Sequence, residues 1–324
     1  MNLYFAPFEG ISGYVYRNAY NKYFGSIDKY FIPFIMPNQF GHLNYKEIND
    51  ILPEHNEGMK AVPQLLTNNA DDFLNTVKEI EKYGYDEVNL NVGCPSKTVV
   101  TKYKGAGLLA DTVRLDKFLQ EIYKKSTVKI SIKTRIGMND PEEVEDIIKI
   151  YNKYPVSELI VHPRLQTDYY KNTPDLEAFK YILDNSSLKI CYNGDVFTSE
   201  DYDNIKNKFE NLDSIMLGRG ILKNPGLGCY VKNGEEKDKS DYINFHDYIY
   251  DEYKNVLYGE KTVLFKMKEL WSYLGNSFTS YDKYGKKIKK AQTLKKYDEV
   301  IEDLFKEQDI IKIERCKYGM VKSD

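Results

Sequence analysis

The chain predicts an α/β fold, a (β/α)8 TIM-type barrel followed by a small all-helical C-terminal domain. Three observations carry that expectation. Up to about residue 230, short β-rich apolar runs alternate with helical stretches, the pattern of a parallel sheet with crossover helices. The runs number close to eight, and an eight-stranded barrel of this kind typically takes about 250 residues. Beyond Pro225 the strand signals stop and helical patterns take over. A doubly wound sheet is the alternative α/β arrangement, but its G-x-G-x-x-G fingerprint is missing, since Gly105-Ala106-Gly107 follows a long loop rather than a strand.

The strands read, in order, as Asn2–Ala6, Lys29–Phe34, Ala61–Leu66, Glu87–Asn91, Val128–Thr134, Glu158–Val161, Leu188–Tyr192 and Ser214–Leu217. Helical patterns lie between most of them, at Asp71–Tyr83, Asp116–Tyr123, Glu142–Tyr151 and Leu176–Leu183. In the last third, His246–Tyr258, Val263–Leu274, Lys287–Lys296 and Tyr297–Phe305 are expected to be helical. The polar stretch Lys232–Ser240, with Gly234, reads as a linker, which gives a barrel domain over 1–232 and a helical domain over 240–324.

Composition limits what such a protein does. The 324 residues are 42% hydrophobic, enough for a full core. Lys+Arg (46) nearly cancel Asp+Glu (49), leaving a net charge of −3, so an anionic partner must be met by a local patch. Cys94, Cys191, Cys229 and Cys316 lie far apart with no C-x-x-C pair; they predict neither a metal site nor a disulfide framework, and favour a reducing compartment. The N-terminus lacks a basic region and its apolar run breaks at Pro7, and no stretch approaches a membrane span, so a cytoplasmic protein without membrane contact is expected.

Barrel enzymes place their chemistry on the loops that follow the strands. Here the exits are unusually rich in polar and glycine residues. Pro7-Phe8-Glu9-Gly10 follows the first strand, Gln64 lies in the third, and the fourth ends in Asn91-Val92-Gly93-Cys94-Pro95. Lys133-Thr134-Arg135 follows from the fifth, His162-Pro163-Arg164 from the sixth, Asn193-Gly194-Asp195 from the seventh and Gly218-Arg219-Gly220 from the eighth. Gly93 and Pro95 fix the turn around Cys94, whose thiol is placed either for nucleophilic attack, with one of only four histidines as base, or for proton donation. The other three cysteines read as small buried hydrophobes. The seventh and eighth exits sit where barrels bind phosphate, with glycines opening the backbone and Arg219 offering a bidentate fork. A lysine at the fifth exit, inside a barrel mouth, needs an anionic partner.

These segments resemble, in order and spacing, the motifs of the tRNA-dihydrouridine synthases, closest to a bacterial subgroup. Those that carry the likeness are Ala6-Pro7-Phe8-Glu9-Gly10, Gln64, Asn91-x-Gly93-Cys94-Pro95-Ser96-Lys97, Lys133-x-Arg135-x-Gly137, Val161-His162-x-Arg164, Asn193-Gly194-Asp195 and Gly218-Arg219-Gly220. Leu270-Trp271-Ser272-Tyr273-Leu274 resembles part of that family's helical domain. The resemblance implies an oxidoreductase that reduces uridine in tRNA to 5,6-dihydrouridine, using FMN and NADPH (or NADH), with no protein partner implied. It also implies that Pro7, Phe8, Glu9, Gln64, Lys133, His162, Asn193, Gly194, Asp195, Gly218 and Arg219 hold the flavin, that Cys94 is the proton donor, and that Asn91, Arg135 and Arg164 lie by the substrate base. Phe8 stands where the family usually has Met, and Pro163, Leu165 and the loop Gln166–Tyr170 depart from its pattern.

For RNA, the lysine run Lys283–Lys290, continuing to Lys295-Lys296, has Tyr281, Tyr284 and Tyr297 nearby and is a candidate phosphate-tracking surface. Three alternatives stay open. One is a flavin barrel acting on a small pyrimidine, as dihydroorotate-type dehydrogenases do. The others are a dihydrouridine synthase acting on ribosomal RNA and an RNA-binding protein with an inactive barrel.

Overall fold

The computed structural model describes residues 1–313, so Cys316 lies outside the described part. Eight parallel strands close into a barrel in strict sequence order, β1 pairing with both β2 and β8. They are β1 (Asn2–Phe5), β2 (Lys29–Ile35), β3 (Ala61–Leu65), β4 (Glu87–Val92), β5 (Lys129–Gly137), β6 (Leu159–Leu165), β7 (Ile190–Tyr192) and β8 (Ser214–Leu217). Around them run α1 (Tyr14–Tyr23), α2 (Tyr45–Ile51), α3 (Ala70–Glu81), α4 (Lys97–Val100), α5 (Thr112–Lys125), α6 (Glu143–Tyr151), α7 (Leu176–Asn185), α8 (Ser199–Lys208), α9 (Arg219–Lys223) and α10 (Leu227–Asn233). The C-terminal helices are α11 (Lys239–Val256), α12 (Glu260–Leu274), α13 (Asp282–Lys290) and α14 (Leu294–Glu307).

All eight expected strands form, and the largest extensions are in β5 and β6. The polar look of His162-Pro163-Arg164 suggested that β6 had ended at Val161; instead the strand continues to Leu165 and carries His162 and Arg164 into the barrel mouth. Among the described residues, six helices lie outside the expected set, α1, α2, α4, α8, α9 and α10, of which α1, α2 and α8 complete the ring. Helix α1 has no side-chain N-cap bond and no acidic first turn, so its sequence signals are weak. Tertiary burial of Val15, Tyr16, Ala19 and Tyr20 holds it instead. The linker is shorter than expected: α10 reaches Asn233, Gly234 takes the left-handed conformation (φ +70°), and α11 begins at Lys239 behind an Asp238 cap. The expected helix over Lys287–Lys296 is two helices, because Thr293 accepts a hydrogen bond from the Lys296 amide and starts α14 afresh.

The barrel interior is layered. At the floor, the Lys29 ammonium lies 3.1 Å from both Glu87 and Glu158, and Glu158 also accepts from the Tyr4 hydroxyl at 2.8 Å and the Ser214 hydroxyl at 3.1 Å. Above it sits an apolar plug of Tyr4, Phe31, Val62, Ile160, Cys191 and Met216. Two positions further along β3, β6 and just past β7 come the polar residues Gln64, His162 and Asn193, which line the bottom of the site. Cys191 and Cys229 are free and buried, as a small hydrophobe should be. Among the described residues no helix is long and apolar enough to cross a membrane.

Candidate active site at the barrel mouth

A cavity of about 240 Å3 opens at the C-terminal ends of the strands. Every site residue expected from sequence lines it except Arg164: Pro7, Phe8, Glu9, Gln64, Asn91, Cys94, Lys133, Arg135, His162, Asn193, Gly194, Asp195, Gly218 and Arg219. Tyr170, from the loop that departs from the family pattern, joins them, as do Phe34, Val196 and Phe197, which the sequence did not single out.

Cys94 is held by its backbone. The Asn91 Oδ1 accepts from the amides of Gly93 at 3.0 Å and Cys94 at 2.9 Å, and the Cys94 carbonyl accepts from Ala106 at 3.1 Å. Gly105 (φ +55°) passes so close to the turn that a Cβ there would meet the Cys94 Cβ at 2.9 Å. The Gly105-Ala106-Gly107 segment therefore packs against the thiol turn. Burial raises the Cys94 thiol above its ordinary range, and nearby Glu9 adds to that; Arg135 and Lys133 pull the other way. The side chain stays a protonated thiol near neutrality.

On the neighbouring strand, Asn91 and Lys133 are register partners. The Lys133 ammonium makes no ion pair or hydrogen bond among the described residues, and burial, helped by the Arg135 charge, lowers it to about 8. An unpaired cation facing a cavity is a binding site awaiting an anion or a strong acceptor. Arg135 is committed to scaffolding: Nε donates to the Gly93 carbonyl at 3.0 Å, and its two terminal nitrogens donate to the Leu165 and Tyr169 carbonyls, each at 2.7 Å. It joins the β4 and β6 exits while one side still lines the cavity.

His162 is buried and lies 2.9 Å from Arg164 through Nε2. A guanidinium only donates, so Nε2 accepts and the proton resides on Nδ1. Burial, with the charges of Arg135, Lys133, Arg164 and Arg219, drives the imidazole well below its usual range, so it is neutral. Arg164 itself is 1% exposed and does not reach the cavity. It donates to Asp195 at 3.1 and 2.5 Å and to the Asn172 carbonyl at 2.6 Å. Arg164, expected beside the substrate base, lies outside the cavity lining and spends its donors on Asp195, His162 and the Asn172 carbonyl.

Asp195 in turn accepts from Arg219 at 2.6 Å. Burial pushes its carboxyl up, yet the two guanidiniums hold it below the usual carboxylate range. Arg219 lies over the rings of Tyr170 (4.8 Å) and Phe197 (5.4 Å), fixed in direction by Asp195. Two glycines here are required by packing. A Cβ on Gly194 would meet the Tyr192 hydroxyl at 2.0 Å, and one on Gly220 the Val196 carbonyl at 1.9 Å. Among the described residues, the amides of Gly194, Asp195 and Gly218 donate to no protein acceptor, which leaves them for a ligand. No group of side chains able to hold a metal ion occurs among the described residues.

A closed parallel barrel with a thiol, a neutral imidazole, an unpaired ammonium and open amides around one mouth defines an α/β-barrel enzyme. Residues 4–315 match the sequence profile described as "Dihydrouridine synthase (Dus)", and the chain belongs to that family. It is 26% identical over 248 residues to the tRNA-dihydrouridine(16) synthase of Neisseria meningitidis serogroup A, covering 75% of this chain and 74% of the relative. It is 27% identical over 208 residues to the tRNA-dihydrouridine(20a/20b) synthase [NAD(P)+] of Saccharomyces cerevisiae, covering 62% and 55%. Among solved structures it resembles morphinone reductase in complex with tetrahydroNAD, with a TM-score of 0.50 at 10% identity over 76% of this chain and 93% of that one. At that identity the likeness concerns the barrel fold.

Proposed function

We propose that this protein reduces uridine in tRNA to 5,6-dihydrouridine, with FMN in the barrel mouth and NADPH (or NADH) as electron donor. One observation carries the reading: the Cys94 thiol and the Lys133 ammonium, which has no partner among the described residues, face the same cavity from adjacent strand ends. The names of the relatives support the substrate, and the bracketed cofactor of the yeast relative supports the nicotinamide.

The residues present fit a flavin mononucleotide. The free amides of Gly194, Asp195 and Gly218, with Arg219 aimed by Asp195, suit a terminal phosphate. Pro7, Phe8 and Glu9 form the wall on the β1 side, and Asn193 and Gln64 offer amides from below. FMN, when bound in reduced form, would supply a hydride for C6 of the uracil ring. Lys133 would balance negative charge on such a ring system, and the Nδ1–H of His162 would offer a neutral donor. Cys94 gives its proton to C5, and the resulting thiolate recovers a proton from solvent, so each turnover consumes one hydride and one proton. The target base must leave the RNA stack to reach a mouth of this depth. Asn91, pinned beside Cys94, and Arg135 lie where such a base would enter. Arg164 acts behind them, as a positioning residue for Asp195 and His162.

Replacing Cys94 tests the assignment. Cys94→Ala is expected to retain its yellow colour and its reduction by NADPH, while dihydrouridine formation falls by about 10²-fold or more. Dihydrouridine made at the wild-type rate by this variant would mean that the proton comes from elsewhere.

A further inference from the structure

Below the cavity, three side-chain amides and a hydroxyl form a single hydrogen-bonded line across β4, β3 and β5. Asn91 Nδ2 donates to Gln64 Oε1 at 2.8 Å, Gln64 Nε2 donates to Asn89 Oδ1 at 2.7 Å, and Asn89 Nδ2 donates to Ser131 Oγ at 3.0 Å. Ser131 closes the line on the Val88 carbonyl at 3.4 Å. Asn89 and Ser131 are fully buried, and neither reaches the cavity.

The direction of this line is forced. The Gly93 and Cys94 amides are donors, so the atom of Asn91 that meets them must be its oxygen. Its NH2 then faces Gln64 and needs an oxygen there. That places the Gln64 NH2 against Asn89, which must answer with its own oxygen and turn its NH2 to Ser131. Reversing Asn91 or Gln64 sets donor against donor or acceptor against acceptor at two joints in a buried site, and reversing Asn89 does so at the Gln64 joint, since the Ser131 hydroxyl can either donate or accept; each is an expensive arrangement. Register favours the same outcome, because Gln64 pairs with Asn89 and Asn89 with Ser131 across the ladder.

We propose that Asn89 is a positioning residue for the thiol: by fixing the polarity of Gln64, it keeps Asn91 oriented to hold the Cys94 turn, with Ser131 as its anchor. The proposal rests on Cys94 as the proton donor. Without Asn89, Gln64 loses the acceptor that orients it, and Asn91 loses the fixed partner that turns its oxygen to the loop.

The test compares Asn89→Ala with Asn89→Asp in the flavin-loaded protein. An aspartate still accepts from Gln64, and the Ser131 hydroxyl rotates to donate to it, so the line keeps its direction. Asn89→Ala is expected to keep its flavin and its KM for tRNA within about twofold, while kcat for dihydrouridine falls about tenfold or more. Alkylation of Cys94 by iodoacetamide, followed by peptide mass, should speed up several-fold as the turn loosens. Asn89→Asp should restore most of both. Should Asn89→Ala fail to fold, Ser131→Ala is read by the same criteria, since it removes only the anchor. Wild-type kcat and wild-type alkylation in the alanine variant would overturn the proposal, as would an aspartate variant no better than alanine. The alkylation comparison needs no RNA, so a protein that makes no dihydrouridine would overturn the functional reading while still deciding this one.

Discussion

At the scale of single residues, Lys133 is the most exposed to test, because its ionisation has a direction. Burial and the Arg135 charge bring it to about 8 from an ordinary 10.5. The unfolded chain therefore binds this proton more tightly than the folded one. Stability of the flavin-free protein should rise with pH between about 8 and 10.5 as the native lysine sheds its charge first. Binding an anion has the opposite sign, since it takes the charged form. FMN affinity should be full well below pH 8 and fall by up to about tenfold between pH 7 and pH 9. Titration of the flavin-free protein with FMN measures this, and Lys133→Met should bind weakly and without that slope. A flat wild-type profile would remove Lys133 from the charged face of the cofactor. The position of this lysine was legible in the sequence, because strand ends in a barrel point to one mouth. Its lack of a partner was not, since that depends on which neighbours are already committed. Arg164 shows the same limit: its pairing with Asp195, 31 positions along the chain, is tertiary, and the family resemblance placed it by the substrate base without foreseeing that tie.

At the scale of elements, the β7 and β8 exits and helix α13 carry the two anion-binding expectations. Arg219 is a quarter exposed and tied to Asp195, so Arg219→Ala should weaken FMN by roughly 2 kcal/mol or somewhat more, the lower part of the range for breaking a buried charge pair. Equilibrium dialysis of flavin against this variant measures the loss; unchanged retention would move the phosphate elsewhere. On α13, Lys286, Lys287, Lys289 and Lys290 are exposed and pair with no carboxylate among the described residues, while Tyr284 and Ile288 face the core. Neutralising the four lysines together should raise the KM for tRNA and flatten its salt dependence, with flavin reduction by NADPH unchanged. An unchanged salt slope would make the helix a solvated face. Of the aromatic residues beside the run, Tyr284 and Tyr297 are fully buried and turn to the core, not to the lysine face. The break between α13 and α14 was missed for a related reason: lysine, glutamine and leucine all favour helix, and only the capping hydroxyl of Thr293 marks the boundary.

At the scale of the whole molecule, the question is whether the barrel over 1–232 and the helices over 240–324 are separate units. The sequence suggested so, because composition changes after Pro225 and the joining stretch is polar. The contacts point to one unit. Phe245 of α11 packs edge-on against Tyr16 of α1 at 5.3 Å and against Phe24 at 5.2 Å, and a single apolar cluster runs from Leu3 to Ile313. Polar ties cross the same seam: Ser277 donates to the Lys223 carbonyl at 2.7 Å, and Lys266 to the Gly10 carbonyl, on the loop that carries Phe8 and Glu9. A seam that apolar and central makes unfolding cooperative across it, since losing either side exposes the other's aromatic face to water. Trp271, the only tryptophan, lies buried in α12 with its indole nitrogen on the Tyr297 hydroxyl, so its fluorescence reports the helical region alone. Far-UV circular dichroism reports the barrel and the helices together. Urea unfolding followed by both should give coincident midpoints and a single transition. A tryptophan transition that precedes the dichroism change would instead separate the helical region from the barrel, and the Lys266 tie to the β1 loop would then be too weak to couple RNA binding to the flavin wall.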